Sequence, residues 1–390
     1  MGVYSIRSVL RRELAIIKND RLYLAVLVIL PVVMILFFGV MFYRGTIDDL
    51  PIVVVDRDNS PMSRKLVSMV DATAGVEVVC SENSMDEAEE LLLRGEAMAV
   101  LYIDDGFASD IYSGVTASVE CYLLGTNISA SGIVERDVQQ VVQSLSAGVA
   151  LEKIQSMGVG SSSTMVDIMP IRVQSNILSN PYLNYGYYLA PIFMIMGVVI
   201  FTILSTIYAI GRELRCGTAK EWMLAADNSL WRGVVGKLLP VTLAMFLLSQ
   251  LIYLILFIVM GMECAGSYLY LSAVTALFII AYQAVAIAMI AMTANLRLAL
   301  SLGGGYGVMA FTFSGITFPT IAMFDVARGV SKIFPLTYFS EVFVDQAMRG
   351  VPLYIDTPKL GALMLFLALP ILLWHRLRVV VSEDKYWGRE

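Results

Sequence analysis

The sequence predicts a polytopic α-helical membrane protein with six transmembrane helices and an α/β domain inserted between the first helix and the second. Hydrophobic residues make up 58% of the 390 residues, and the mean hydropathy is +0.74. Charged residues make up only 15%, whereas a soluble domain has about 25%. Six apolar runs contain no charged residue, and a polar segment at 44–184 separates the first run from the other five.

The first run, Leu22–Tyr43, is long enough to cross a bilayer because an α-helix rises about 1.5 Å per residue. Basic residues precede it, as in a signal peptide. The run is too long for a signal peptide and no small-residue cleavage site follows, so we interpret it as a retained anchor. The later spans are predicted at Tyr185–Gly211, Leu238–Met262, 269–293, Leu298–Met323 and Leu360–Trp374.

Basic residues are concentrated in the segments that six spans would place on the side of the termini. These segments carry 15 bases and eight acids. Short loops rich in Lys and Arg mark the cytoplasm, so both termini are predicted to be cytoplasmic and the polar segment extracytoplasmic. The segments are 1–21, 212–237, 296–297 and 375–390.

Three parts of the chain follow from this topology. Residues 1–43 hold an N-terminal helix and the first span, residues 44–184 form the extracytoplasmic α/β domain, and residues 185–390 form a five-helix domain. Apolar residues near the N-terminus fall on one helical face, which predicts an interfacial helix lying in the inner headgroup layer. That face comprises Ile6, Val9, Leu10, Leu14 and Ile17.

The composition argues against several classes of function. A net charge of −6 disfavours a nucleic-acid partner, since binding to phosphates needs a basic surface. One His and four Cys cannot supply a His/Cys metal cage with the usual spacing, so no metal site is expected. No phosphate loop of the form GxxxxGK[ST] occurs, so we expect the chain to bind no cofactor itself.

The polar segment alternates between strand-like and helix-like patterns, which predicts a small α/β domain with a partly parallel sheet. The predicted strands are Ile52–Asp56, Val76–Cys80, Ala97–Ile103 and Val119–Leu123. Cys80 and Cys121 both lie in these strands, outside the cytoplasm. Either a disulfide or two separate buried thiols is consistent with the sequence.

Two aspartates follow the first of these strands, in the stretch VVVDRDNSPMSRKLV at 53–67. Asp56 and Asp58 could form a phosphate-transfer site, or they could belong to the junction between a strand and a helix. Ser60 and Pro61 suit the N-cap and first position of a helix, and acids are favourable at that positive end. We therefore favour the junction, with a membrane-anchored enzyme or a sensor or scaffold as the competing functional classes.

Three stretches together resemble the permeases of the ABC-2 type export family. They are Val55–Ser60, Asn180–Tyr185 with Pro191 beyond it, and Ser314–Pro319 followed by Phe334–Tyr338. The predicted cytoplasmic loop adds a Gly-Thr-x-x-Glu core at Gly217, Thr218 and Glu221. It departs from the family pattern at Arg215 and Cys216, where another acid is common.

The resemblance implies the permease subunit of an ATP-driven exporter in the bacterial cytoplasmic membrane. A second permease subunit, identical or paralogous, would complete the path for a lipid-like, amphipathic or drug-like substrate, among membrane lipids and with or without an envelope adaptor protein. Cytoplasmic ABC ATPase subunits would bind the ATP and Mg. The coupling loop is predicted at 212–237, and its ATPase contacts are predicted at Glu213, Gly217, Thr218, Glu221 and Trp222.

The apolar runs carry no Asp, Glu, Lys or Arg, which disfavours a proton- or ion-driven transporter. Three polar residues, Gln250, Gln283 and Asn295, either line the translocation path or bond between helices. Residues 318–349 are too interrupted for a span and predict two short re-entrant or interfacial helices that cap the outer end of the path. The outer gate predicted there comprises Phe318, Pro319, Pro335 and Tyr338.

Overall fold

The computed structural model describes residues 6–43, 45, 47–82, 84–124, 128–156, 184–315 and 318–388. The chain divides into two compact units. The first comprises Met1–Gly45 with Leu178–Glu390 and is helical, and the second comprises Thr46–Ile177 and contains a β-sheet. Of the motif that resembles the entry to the second span, residues 180–183 lie outside the described residues, as do 316–317 of the third motif.

Six helices of the described chain are long and apolar enough to cross a membrane, as the sequence predicts. In chain order, and called the first to sixth spans below, they are Arg21–Met41, Gly186–Cys216, Leu230–Val259, Tyr268–Thr293, Leu296–Phe313 and Leu353–Leu372. A π-helical turn lies within the first span at Ala25–Ile29 and another ends the third span at Ile255–Val259. The sixth span consists of a 3-10 turn, Leu353–Asp356, and two short helices, Thr357–Phe366 and Ala368–Leu372.

The connection between the second and third spans is shorter than the predicted loop at 212–237. The second span continues to Cys216, and the third begins at Leu230, seven residues before Lys237. Both helices extend past the charge-free runs, and two charged side chains in the added turns, Glu213 and Lys237, are paired inside the protein. A short helix, Ala219–Ala225, occupies the middle of what remains.

The second and fourth spans form the centre of the helical unit, and a glycine allows the fifth span to approach the second. A Cβ atom added at Gly303 would lie 2.6 Å from Ile203 Cγ2 and 2.8 Å from Ile207 Cδ1. Small residues at such positions let helix backbones pack closely where no water drives their association. Gly303 thus has a packing role in the fifth span.

The N-terminal helix, Ile6–Asn19, packs against the third span. Val9, Glu13 and Ile17 are buried on its inner face, and a Cβ added at Gly236 of the third span would lie 2.8 Å from Val9 Cβ. Leu14 is half exposed. The segment is helical, and the third span covers part of its apolar face.

Two short helices follow the fifth span, as predicted for 318–349. They are Asp325–Ser331 and Pro335–Val344, preceded by a 3-10 turn at Thr320–Ala322 and followed by a π-helical turn at Asp345–Arg349. After the sixth span the chain ends in a helix, Trp374–Ser382, and a 3-10 turn, Asp384–Tyr386.

The second unit contains a four-stranded sheet whose strands match the predicted ones closely. They are β1 (Leu50–Asp56), β2 (Val76–Glu82), β3 (Ala99–Ile103) and β4 (Val119–Leu123). Their order is β2-β1-β3-β4, with β1 parallel to both neighbours and β4 antiparallel to β3. The helices of this unit are Pro61–Asp71, Met85–Arg94, Phe107–Ser113 and Ile128–Ser156.

Asp56 organises the junction between β1 and the following helix. One carboxylate oxygen accepts hydrogen bonds from the backbone N–H groups of Asp58 and Asn59, and the other accepts one from the Ser63 hydroxyl at 2.7 Å. Ser60 caps the helix, and its own N–H donates to Ser63. Both oxygens of Asp56 therefore have structural partners, which fits the strand-to-helix interpretation.

A disulfide between Cys80 and Cys121 is incompatible with the sheet order. Cys80 lies on β2 and Cys121 on β4, at opposite edges of the sheet, and both are free. Three strand spacings of about 4.8 Å separate them, whereas bonded cysteines need Cα atoms within about 7 Å. Cys121 also packs with the cluster on the other face of the sheet from the one that Cys80 joins.

Candidate functional site

The candidate site lies at the turn between the second and third spans. Gly217 ends the second span in a left-handed conformation, with φ of 68°, which glycine adopts without strain. The N–H of Thr218 then donates to the carbonyl of Glu213 at 3.0 Å, as in a Schellman motif. This sharp ending turns the chain back, so that the short helix Ala219–Ala225 lies beside the start of the third span.

Trp222 fixes the short helix to the third span. Its side chain is fully buried, and its indole N–H donates to the carbonyl of Gly233 at 3.1 Å. A Cβ at Gly233 would lie only 3.1 Å from the indole nitrogen, so the absence of a side chain there makes room for the ring. The ammonium of Lys237 lies 5.3 Å from the centre of the indole ring, which adds a cation–π contact.

Four charged side chains, Arg12, Glu13, Glu213 and Lys237, meet beneath the short helix and are called the four-charge cluster below. Lys237 Nζ pairs with Glu13 and, at 2.8 Å, with Glu213 Oε1. Arg12 forms a two-pronged pair with both oxygens of Glu213, at 2.5 and 2.9 Å. The side chains of Glu13, Glu213 and Lys237 are each only 1% exposed.

The geometry of the four-charge cluster explains how these ions are tolerated inside the protein. Two acids face two bases, so the cluster has no net charge. Tyr23 donates to Glu13 at 2.9 Å, and the Thr218 hydroxyl donates to Glu213 at 2.5 Å. Buried charges are stable only when paired and hydrogen-bonded in this way. The cluster thereby joins the N-terminal helix to the second and third spans.

Asp20 provides a second polar link nearby. Its carboxylate caps the start of the first span through the N–H groups of Leu22 and Tyr23. The other oxygen accepts from the Tyr208 hydroxyl and from Arg212 Nε of the second span, both at 2.9 Å. Burial by itself would raise the pKa of Asp20, but these hydrogen bonds outweigh it and lower the pKa below its usual value, so Asp20 stays charged at neutral pH.

The residues predicted to contact an ATPase divide into buried and exposed sets. Glu213 and Trp222 are fully buried, so in this structure they support the short helix from inside rather than meet a partner. Thr218 is half-buried against Glu213. Gly217 and Glu221 are exposed, the Glu221 side chain to 71%.

The outer face of the short helix is defined here as Lys220, Glu221 and Leu224 together with Gly217 just before the helix, all of which are exposed. Gly217 and Glu221 were predicted contacts, whereas Lys220 and Leu224 were not singled out from the sequence. Sequence reasoning also missed the four-charge cluster around Glu213. A signal for one member existed, because Glu13, which pairs with Lys237, falls at i+4 from Val9 and i−4 from Ile17 on an otherwise apolar face.

The polar residues predicted for the translocation path bond within and between helices. Gln250 of the third span accepts from the Tyr268 hydroxyl at 2.7 Å and from Ser272 of the fourth span at 3.1 Å. Gln283 accepts from Thr242 at 2.9 Å, again linking the fourth span to the third. Asn295 caps the fifth span through the N–H of Leu298 at 3.0 Å.

The residues predicted for an outer gate differ in burial and in their partners. Phe318 is exposed, whereas Pro335 is buried at the first position of its helix. Tyr338 donates to the carbonyl of Lys332 at 3.1 Å. Pro319 lines a partly open cavity of about 530 Å³ between the start of the second span and the helix Pro335–Val344.

Comparison with known proteins identifies the family. A family model described as ABC-2 family transporter protein matches residues 21–375, which is most of the chain and both units. No curated protein matches the chain. The match includes the second span, the short helix and the start of the third span. The chain therefore belongs to the ABC-2 family of transporter proteins.

Proposed function

We propose that this chain is the membrane-spanning permease subunit of an ATP-driven exporter that moves a lipid-like, amphipathic or drug-like substrate out of the cytoplasm or the inner leaflet. Family membership supports an ABC permease role together with ATPase subunits. One observation carries the proposal for coupling. The short helix Ala219–Ala225 has an exposed outer face, while its inner side is fixed to the spans through Trp222 and the four-charge cluster.

In this proposal the ATPase subunits bind ATP and Mg and dock on the outer face of the short helix. Movement of the helix would be transmitted inward because Trp222 and Glu213 are buried and bonded to the third span. Arg12 and Glu13 would carry the same displacement to the N-terminal helix. A single displacement would then move three helices together.

The proposed topology puts both termini in the cytoplasm of a bacterial inner membrane and the unit with the sheet outside it. The predicted inner segments carry 15 bases and only eight acids, which supports this orientation. A second permease subunit, identical or paralogous, would complete the translocation path, and an envelope adaptor protein is a further candidate partner.

The orientation predicts opposite labelling of two exposed positions in intact cells, with the other native cysteines changed to serine. The thiol introduced by Tyr112→Cys, at a side chain 72% exposed, should react with a membrane-impermeant maleimide. Exposed Cys216, at the end of the second span, should react only after lysis. Labelling of Cys216 in intact cells would reverse the topology.

The coupling proposal predicts that Glu221→Lys weakens binding of the ATPase subunits by about tenfold, because it reverses a charge on the exposed face. The thermal unfolding midpoint should change little, since the Glu221 side chain is 71% exposed and its ion pair with Arg12 is long, at 3.7 Å. Copurification and permease-stimulated ATP hydrolysis in proteoliposomes measure the effect.

Asp325→Lys is the matched control, because it makes the same charge change at a side chain that is 96% exposed on the short helices after the fifth span. It should leave ATPase binding unchanged. If Glu221→Lys binds the ATPase subunits as tightly as the unmodified chain does, the outer face of the short helix is not the docking surface.

A further inference from the structure

The cavity beside Pro319 has the dimensions and lining of a small-molecule site. Its volume of about 530 Å³ falls within the range of about 300–1,000 Å³ that is usual for ligand pockets. One wall is apolar and comes from Ile192 and Ile195 of the second span and from Phe343 and Val344 of the facing helix. Ile195, the lining residue of the second span nearest to Glu213 in the sequence, lies about 27 Å from it along the helix, so the cavity is separate from the coupling site.

The charged side chains that line the cavity, taken together with their ion-pair partners, do not cancel. Arg349 pairs with Asp345 at 3.1 Å, and Lys359 pairs with both Asp345 and Asp356. Both bases are thus held by acids. The other acid of the lining, Glu341, has no basic side chain within 4.0 Å in the described chain. With Asp356, which is buried outside the lining and pairs with Lys359, three acids face two bases and leave one negative charge in excess.

Glu341 lies half-buried at the boundary between the apolar wall and the charged side chains. Burial raises the pKa of its carboxyl above the usual value, opposed by the charge of Lys359 and reinforced by that of Asp345. A hydrogen bond with Thr320 and the charge of Arg349 also oppose the rise. Its ionised form thus lacks full compensation inside the protein, and a bound cation would supply it.

We propose that this cavity binds a lipophilic cation, with the positive charge against Glu341 and the apolar body against Ile192, Ile195 and Phe343. Tyr187 and Tyr188 also line the cavity and add aromatic faces, which attract cations. The assignment rests on the proposed function for its physiological meaning, because it names the substrate class of the exporter. The binding itself is a property of this chain alone.

Equilibrium binding of tetraphenylphosphonium to the purified full chain in lipid nanodiscs tests the proposal, with empty nanodiscs as background. The probe is a permanent cation with a large apolar body. We expect saturable binding that Glu341→Gln weakens by about tenfold. Tetraphenylborate, an anion of the same shape, should bind at background level. Equal binding of the two ions would overturn the proposal.

Two further variants separate the site from general surface charge and from misfolding. Asp325→Asn removes an exposed acid outside the cavity and should leave affinity unchanged. Val344→Trp keeps Glu341 but places a large side chain in the cavity, so it should abolish saturable binding. Its thermal unfolding midpoint without the probe should remain that of a folded chain. Unchanged binding in Glu341→Gln, or an equal loss in Asp325→Asn, would overturn the assignment.

The binding assay needs no ATPase, so its outcome is independent of the exporter proposal. Glu341-dependent binding without ATP-driven movement of the probe by the reconstituted complex would support the cavity and argue against the proposed transport function. ATP-driven export that Glu341→Gln and Val344→Trp leave unchanged, together with unchanged binding, would support the permease function and overturn the cavity as its substrate site.

Discussion

Replacing Lys237 by methionine is expected to lower the free energy of unfolding by about 3–5 kcal/mol, because it leaves Glu13 and Glu213 buried together with only Arg12 to balance them. Removing one partner of a buried ion pair is far more costly than replacing the whole pair. Thermal unfolding of the detergent-solubilised chain should show a midpoint lower by an amount on the order of 10 °C.

Lys220→Met is the matched control for this experiment. Lys220 also forms an ion pair, with Asp384 at 3.1 Å, but both side chains are about two-thirds exposed. Exposed pairs contribute less than about 1 kcal/mol, so this variant should unfold almost like the unmodified chain. Adding Glu13→Gln to Lys237→Met should recover part of the loss. If the two lysine variants unfold alike, the four-charge cluster does not stabilise the fold.

Trp222→Ala is expected to cost about 3–5 kcal/mol, the usual range when a large buried aromatic side chain is removed from a packed interior. Trp222 is fully buried, and the variant also loses its hydrogen bond to Gly233 and its contact with Lys237. The short helix would lose its main attachment to the third span. Permease-stimulated ATP hydrolysis should therefore fall together with the unfolding midpoint.

Trp231→Ala provides the comparison, because this tryptophan is 64% exposed and lies only nine residues along the chain. It should change the free energy of unfolding by less than about 1 kcal/mol, as expected for an exposed substitution. Normal stimulation of ATP hydrolysis by Trp222→Ala in a folded complex would contradict the role given to the short helix.

The spans were the most predictable part of the fold, because long charge-free runs are a direct requirement of the bilayer. Their ends were less predictable. In the sequence, Lys237 set the beginning of the third charge-free run at Leu238, yet the helix starts at Leu230. The Lys237 ammonium group is paired inside the protein and does not need to face water. Hydropathy identifies where charge begins but not whether that charge has a partner in a distant segment.

The candidate site was predicted in position but not in arrangement. The Gly-Thr-x-x-Glu core drew attention to the correct turn, but a helix of seven residues is too short for its pattern to show which face is buried. Trp222 therefore looked like a surface contact although it is buried. Glu213, near the end of the second span, looked the same because its partners Arg12 and Lys237 are distant in the sequence. The disulfide hypothesis failed for a related reason, since strand order depends on contacts between distant parts of the chain and not on local pattern.

The neutrality of the four-charge cluster has a consequence for the response to membrane voltage. Moving one elementary charge through a potential of 100 mV requires about 2.3 kcal/mol of work. Arg12, Glu13, Glu213 and Lys237 sum to zero, so a joint displacement of these side chains moves no net charge through the field. The displacement of this cluster would therefore add no voltage dependence of its own to a transport cycle coupled through it.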